Sequence, residues 1–431
     1  MSKKLVVISI DAMGAADLTG DLSHLPALKQ IKEKGSHIKY VTPVYPSVTY
    51  PSHATIITGV YPNKHGIVNN TMIQPSRKSP DWYWYKKDIQ VPTLFDVAKK
   101  EGLSTAAFLW PTTAKSKITY HIAEIFPNRI WTNQVLVAVR ASSPLFLLRM
   151  NQKYKHLRQG VKQPYLDDFV TACAMHVLRK KRRSSDLTMI HLTDLDSMRH
   201  KFGVFSEEAK QAMKRQDERV QKIIDATKEA GTFEETTFVV LGDHYQMDVK
   251  WMIRLNVIFE SEGWLNARAD GTVRKNWKVY AKTCDGATYI YCKKGYEKLK
   301  NKVQNLISEL EGVESIYTAK EAEEFGADSA CLFMVEGKKD YFFIDEAKGE
   351  ITQSVNAKEI GNPDRYLAVH GYSPVKENYE TTMMVMGEGI KKGFEVEKAN
   401  MTDEAPTLAK ILSLETFPSE IDGEVIKEIF E

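Results

Sequence analysis

Cysteine is scarce in this chain. Its 431 residues include four, Cys173, Cys284, Cys292 and Cys331, with no Cys-x-x-Cys spacing among them. That pattern argues against a disulfide framework and reads as reduced, buried thiols, which places the expected compartment in the cytoplasm. Long hydrophobic runs are missing too. The opening MSKKLVVISIDAMG has a short apolar stretch ended by an acid, and no A-x-A cleavage pattern, so it reads as a core strand rather than a signal peptide. The most apolar later stretch, Val135 to Met150, is broken by Arg140 and Pro144 and is too short to span a bilayer. It reads as a buried or lid helix pair, with a membrane-facing role as the alternative. One-sided charge is absent as well. A net charge of +3 implies neither a nucleic-acid polymer nor a strong membrane field as partner. No internal repeat or low-complexity tract appears. The rest is ordinary globular material, 43% hydrophobic and 27% charged, enough for a sizeable core. Oligomeric state leaves no trace in the sequence.

Apolar runs alternate with helical patterns. Leu5–Ile10, Ser104–Leu109, Leu187–Leu192 and Thr236–Leu241 read as buried strands, and Thr381–Met386 as a last core strand. Between them, Pro51–Thr58, Val91–Gly102, Leu166–Arg183 and Ser206–Ala230 read as helices, the third with a basic cluster in its last turn. Strands alternating with helices predict an α/β fold: a mostly parallel central sheet with helices on both faces. Ligands in such folds gather at the carboxyl ends of the strands. From about Trp251 to Asp364 the pattern changes to antiparallel-type alternation around one amphipathic helix, Tyr296 to Glu311. The expected organisation is a catalytic core of residues 1–250 and 365–431, with a lid-like insertion at about 129–163. A smaller α+β subdomain occupies 251–364.

The residues with chemistry sit at those strand ends. Asp11 follows the first strand, Asp243 and His244 follow Thr236–Leu241, and Asp196-x-x-x-His200 follows Leu187–Leu192. Spacing of i,i+4 lets Asp196 and His200 face one ion if the segment is helical. His370 stands in a His-Gly-Tyr turn where the chain returns to the core. Carboxylates mixed with imidazoles suit zinc better than calcium or magnesium. Thr49 opens a short helix, whose N-terminus offers N–H groups and a positive dipole end to a phosphate. Each residue alone has a bland explanation, as a cap, a turn residue or a satisfied core histidine. Their recurrence in order along one α/β chain has a single explanation, a two-metal centre with a hydroxyl nucleophile.

These residues lie in longer stretches that resemble the alkaline phosphatase superfamily, in its nucleotide pyrophosphatase/phosphodiesterase branch. TPVYPSVTYPSHATIITGVYPNKHGIVNN, from Thr42 to Asn70, is similar to that branch's nucleophile motif. VPTLFDVAKKEG, LDSMRHKFG, LGDHYQMD, VHGY and DEAPTLAKIL fit in the same order. The resemblance implies Thr49 as nucleophile, with Asp11, Thr49, Asp243 and His244 holding one zinc and Asp196, His200 and His370 the other. Manganese or iron could occupy the same side chains. It implies Asn70 as an amide donor to a phosphoryl oxygen. Tyr50 and His191 match two positions that stack on a nucleobase, the second being tyrosine in that branch. His53 and His65 also match the motif and read as structural braces of the turns around the helix. Tyr245 stands where the branch has glycine and adds bulk near the metal.

The implied activity is zinc-dependent hydrolysis of a phosphodiester or pyrophosphate bond through a covalent phosphothreonine, acting on a small phosphate ester or nucleotide. A phosphomonoesterase or phosphonate hydrolase with the same core is the alternative. Monoester specialists need an extra cation, and none is evident near Thr49. A non-catalytic binding protein of the same fold should have lost a ligand or the nucleophile, and all seven metal-site residues are present.

Overall fold

The computed structural model describes residues 4–129, 131–181 and 184–431. Eight strands form the central sheet. From one edge they run Phe394–Asn400, Ser36–Thr42, Thr381–Met386, Thr236–Leu241, Lys4–Ile10, Leu187–Leu192, Thr105–Phe108 and Tyr120–Ile122. Every neighbouring pair is parallel except the two made by Thr381–Met386, which runs antiparallel to both its neighbours. A parallel sheet is covered on both faces, so its strands read as continuous apolar runs rather than as alternation.

Alternate residues of those runs feed two cores. Leu5, Val7, Leu187, Met189, Val239 and Leu241 point into one, with Ala54, Ile56 and Ile57 of the Thr49–Thr58 helix and Leu408 of the Glu404–Ile411 helix. Val6, Ile8, Ile10, Ile190, Phe238 and Val240 point into the other. There they meet the helices Pro26–Lys34, Tyr165–Leu178 and Glu207–Ala230. Local signals explain several ends. Ser206 caps the long helix at Ala209 N–H, and Gly231 closes it in the left-handed region. Thr93 and Asp96 form a capping box that starts Leu94–Lys100 three residues later than the sequence pattern suggests. The Tyr165–Leu178 helix stops short of the expected end. The basic cluster thus follows the helix rather than ending it, and its Arg182 and Arg183 lie outside the described residues.

Residues 251–364 carry a different architecture. A four-stranded antiparallel sheet is built from Val313–Thr318, Phe333–Gly337, Ala287–Cys292 and Val279–Cys284. A second small sheet is centred on Met247–Ile253, which straddles the expected boundary. It pairs with Asp340–Phe343, Thr352–Ser354 and Ala368–Val369. The expected helix is shorter than the pattern predicts, Lys300–Ser308 after a 3-10 turn at Glu297–Leu299, and two further helices, Leu255–Ser261 and Ala319–Glu324, lie in the same segment.

Candidate active site

Register brings the chemistry together. Ser9 lies opposite both His191 and Leu241, so three neighbouring parallel strands end level with one another. The next residues along, Asp11 and Asp243, are therefore neighbours, and Ala12 N–H donates to Asp243 Oδ1 at 3.1 Å. Gly242 makes this approach possible, because a Cβ there would lie 1.8 Å from the Met13 carbonyl oxygen. Asp196 and His200 sit on one face of the Asp194–Phe202 helix, with His200 Nε2 3.2 Å from Asp196 Oδ1. His200 Nδ1–H donates to the Ala368 carbonyl at 2.7 Å, which leaves Nε2 facing Asp196 and able to hold a cation. Gln246, not singled out as a site residue by sequence reasoning, donates from Nε2 to Asp196 Oδ1.

Thr49 is the first residue of its helix, two residues earlier than expected, and is 8% exposed. Its Oγ1 is 3.1 Å from His244 Nε2. The same nitrogen is 3.3 Å from Asp11 Oδ1 and 3.3 Å from Asp243 Oδ2. Asn70 Oδ1 accepts from the Tyr50 N–H at 2.8 Å, which identifies the oxygen end of the carboxamide and leaves the NH2 end to donate. Asp11, Thr49, Asn70, Asp196, His200 and His370 all line one cleft of about 950 Å³.

The electrostatics describe acids and imidazoles crowded together in a buried cluster. Burial first, then repulsion by Asp196, pushes the Asp11 carboxyl up to about 7. Burial and the charge of Asp11 raise Asp243 well above the carboxylate range. Burial pushes His244 well below its usual value and His370 down to about 3, so both are neutral imidazoles. Burial opposes charge on His200 as well, but Asp196 outweighs it and lifts the imidazole to about 9. Asp11 Oδ1 and Asp243 Oδ2 are buried and have no hydrogen-bond partner. Buried carboxylate oxygens left unpaired are costly unless a cation meets them. Ligand atoms of Asp11, Asp196 and His244 lie within 4.8 Å of one another, as do those of Asp196, His200 and His370. The donor set therefore fits divalent cations.

Two expectations do not fit this geometry. Tyr50 is 0% exposed, packed against Trp82 at 5.3 Å between ring centroids, with its hydroxyl donating to Glu124 Oε1 at 3.2 Å. It lies at the cleft wall, but its ring, tilted 59° to that of Trp82, has no exposed face for a base. His191 is also fully buried. Its Nε2 is 3.0 Å from Asp11 Oδ2 and its Nδ1 3.4 Å from Glu124 Oε2. Burial opposes charge there, but the hydrogen bonds to those two acids hold the imidazole well above its usual pKa. His191 is thus a brace behind Asp11 rather than a stacking platform. Tyr245 likewise turns away from the cleft, into a core where Arg199 lies 5.0 Å over its ring. His53 Nδ1 is 2.8 Å from the Thr49 carbonyl oxygen, and His65 is held between Thr55 Oγ1 and Ile67 N–H.

A family description, type I phosphodiesterase / nucleotide pyrophosphatase, matches residues 5–373. The chain belongs to that family. Among curated members it is 27% identical to human ectonucleotide pyrophosphatase/phosphodiesterase family member 1 over 248 residues, 56% of this chain and 23% of that one. It is 26% identical to venom phosphodiesterase 2 of Crotalus adamanteus over 251 residues, 56% of this chain and 26% of that one. The chain thus spans about a quarter of the length of these relatives. Human ectonucleotide pyrophosphatase / phosphodiesterase 5 has the same fold, with a TM-score of 0.70 at 18% identity over 99% of this chain and 100% of that one. An inactive murine form of that protein, in complex with AMP, also scores 0.70 at 18% identity, over the full length of both chains. The architecture is a large mixed sheet flanked by helices, consistent with an alkaline phosphatase-like fold. Members of this family are hydrolases by name and description.

Sequence reasoning missed Glu124 and Asp285 as site residues. Asp285 has no motif around it. It stands in the tight turn between Val279–Cys284 and Ala287–Cys292, where Asp-Gly is a hairpin signal. Only the fold brings that turn to His370.

Proposed function

We propose that this chain hydrolyses a phosphodiester or pyrophosphate bond, with Thr49 as nucleophile and two divalent cations, zinc by ligand type. The observation that carries the reading is the convergence of Thr49 Oγ1, Asp11 Oδ1 and Asp243 Oδ2 on His244 Nε2, all within 3.3 Å of it. Asp11, Thr49, Asp243 and His244 would hold one cation and Asp196, His200 and His370 the other. When bound, the cations supply charge neutralisation, favour ionisation of the threonine hydroxyl and polarise a phosphoryl oxygen. Thr49 Oγ1 attacks phosphorus in line, the P–O bond to the leaving group breaks, and that oxygen departs with the electron pair. A phosphothreonine ester remains. Water attacks from the face the leaving group vacated and releases Thr49. The Asn70 NH2 donates to the oxygen on which charge develops.

Of the four bases lining the cleft, Lys282, Arg365 and Arg77 are engaged by Asp345, Glu346 and Asp81, and Lys78 is exposed. The preference for a diester therefore rests on the family match rather than on charge. A nucleotide substrate is supported by the AMP bound to the murine neighbour of the same fold, although Tyr50 and His191 do not supply the stacking. Zinc-loaded protein is expected to turn over bis(4-nitrophenyl) phosphate faster than 4-nitrophenyl phosphate. A clear preference for the monoester would overturn the reading.

A further inference from the structure

Between Glu124 and Asp167 the chain contains no aspartate or glutamate. The same stretch carries Arg140, Arg149 and Lys155, all exposed. It folds as a helical hairpin, Gln134–Ala141 followed by Pro144–Tyr154. One side of the hairpin is anchored. Val137 and Ala138 pack on one core, Phe146 and Leu147 on the other. Ala141 and Met150 are buried in the same two cores, but other apolar residues are not covered: Leu136 is 56% exposed, Leu145 84% and Leu148 49%, and Trp131 just before the hairpin is 78% exposed.

Single exposed apolar residues need no explanation, but a cluster on two adjacent helices does. Leu145 and Leu148 are three apart and share a helix face. No helix of the described residues is long and apolar enough to cross a membrane. Exposed leucines on two adjacent helices, with exposed arginine, lysine and tryptophan in the same segment, have the chemistry of an interfacial anchor. The rings and leucines enter the boundary between headgroups and acyl chains, and the long basic side chains reach lipid phosphates.

We propose that the 131–155 hairpin is a peripheral docking surface for an anionic lipid bilayer. Charge decides between this occupant and a second copy of the chain. A two-fold contact places the same patch on both sides, so the hairpin's cations would face each other with no acid in the segment to meet them. An anionic bilayer meets them directly. The hairpin follows closely on Glu124 and Phe126, which line the cleft, so docking would hold the cleft near the lipid surface.

The test is co-flotation of the purified, full-length chain with vesicles of phosphatidylcholine alone and of phosphatidylcholine with phosphatidylglycerol in equal parts, at low and high salt. Binding is expected to the anionic vesicles only, and to weaken with salt. Replacing Arg140, Arg149 and Lys155 together by glutamine should lower the partition coefficient about a hundredfold, at about fivefold per charge. Leu145→Ser with Leu148→Ser should lower it about tenfold or more. Both variants should keep wild-type turnover of a soluble chromogenic diester, which separates lost docking from lost folding. Equal flotation with neutral vesicles would overturn the proposal, as would no flotation with anionic ones at low salt. Dimers in analytical ultracentrifugation that dissociate in the Leu145→Ser, Leu148→Ser variant would also overturn it, by giving the patch to a second copy.

Discussion

Asp285 Oδ2 lies 3.6 Å from Nδ1 of His370, a side-chain nitrogen that is buried and has no hydrogen-bond partner. The two residues come from different parts of the fold. His370 belongs to the return into the core and Asp285 to a hairpin turn of the inserted segment. The backbones are joined as well, since Gly286 N–H donates to the His370 carbonyl at 2.8 Å. Gly371 has a positive φ of 86°, and a Cβ there would lie 1.6 Å from the Cys284 carbonyl oxygen. A carboxylate behind a ligating histidine fixes its ring and raises its basicity. Asp285→Asn should therefore weaken cation binding by about 10- to 100-fold. Metal retained after dialysis against a graded chelator checks this independently of turnover. Unchanged retention would assign Asp285 to packing alone.

Thr49→Ala removes the proposed nucleophile and leaves the three charged or imidazole donors around it. Turnover should fall by about 10⁴-fold or more. Metal content should stay near wild type, because the remaining ligands are untouched. Near-native activity in the variant would end the nucleophile assignment.

Asn70→Ala should lower kcat by about 10²- to 10³-fold with little change in KM, the signature of a donor used in the transition state. The variant also loses the acceptor for the Tyr50 N–H. Its melting temperature should therefore be recorded beside the kinetics, so that a loss of fold is separated from a loss of oxyanion stabilisation.

Glu336 predicts a pH effect from a carboxyl outside the proposed ligand set. It is 1% exposed, accepts from Tyr45 O–H at 2.8 Å and Ser373 N–H at 3.1 Å, and lies 3.4 Å from Lys376 Nζ. Burial outweighs these partners and pushes the carboxyl from 4.5 up to about 7. In the unfolded chain the group ionises near its ordinary value, so the unfolded state loses its proton first as pH rises. Stability should then fall between about pH 4.5 and 7, by on the order of 3 kcal/mol when complete. Glu336→Gln should raise the melting temperature at pH 8 and change it little at pH 4. An equal effect at both values would show that ionisation is not the cause.

The parts legible in the sequence were those with a local signature. Leu187–Leu192 and Thr236–Leu241 fall where continuous apolar runs predict buried parallel strands, and each ends at a residue of the site. The pair Asp196 and His200 was readable because helix spacing alone sets their shared face. Other features depend on tertiary packing and leave no such mark. Ser36–Thr42 and Phe394–Asn400 sit at one side of the sheet, half-buried and rich in polar residues, and neither has an apolar run. The stacking roles expected of Tyr50 and His191 meet buried rings for a similar reason. Motif position places a ring near the mouth, but Trp82 and Glu124, from other segments, decide whether its face is open. Asp285 shows the converse, a side chain with no sequence signal that reaches the site only because an insertion folds back onto it.

Donors drawn from Asp11 through His370 give the metal centre a further property. These donors are far apart in the chain, so the set would assemble only once the fold brings them together. A cation held there would tether segments that share no covalent neighbourhood. Ions that bind the finished chain and not its fragments shift the equilibrium toward it by mass action. Metal supply would then govern how long the protein survives in solution as well as how fast it works.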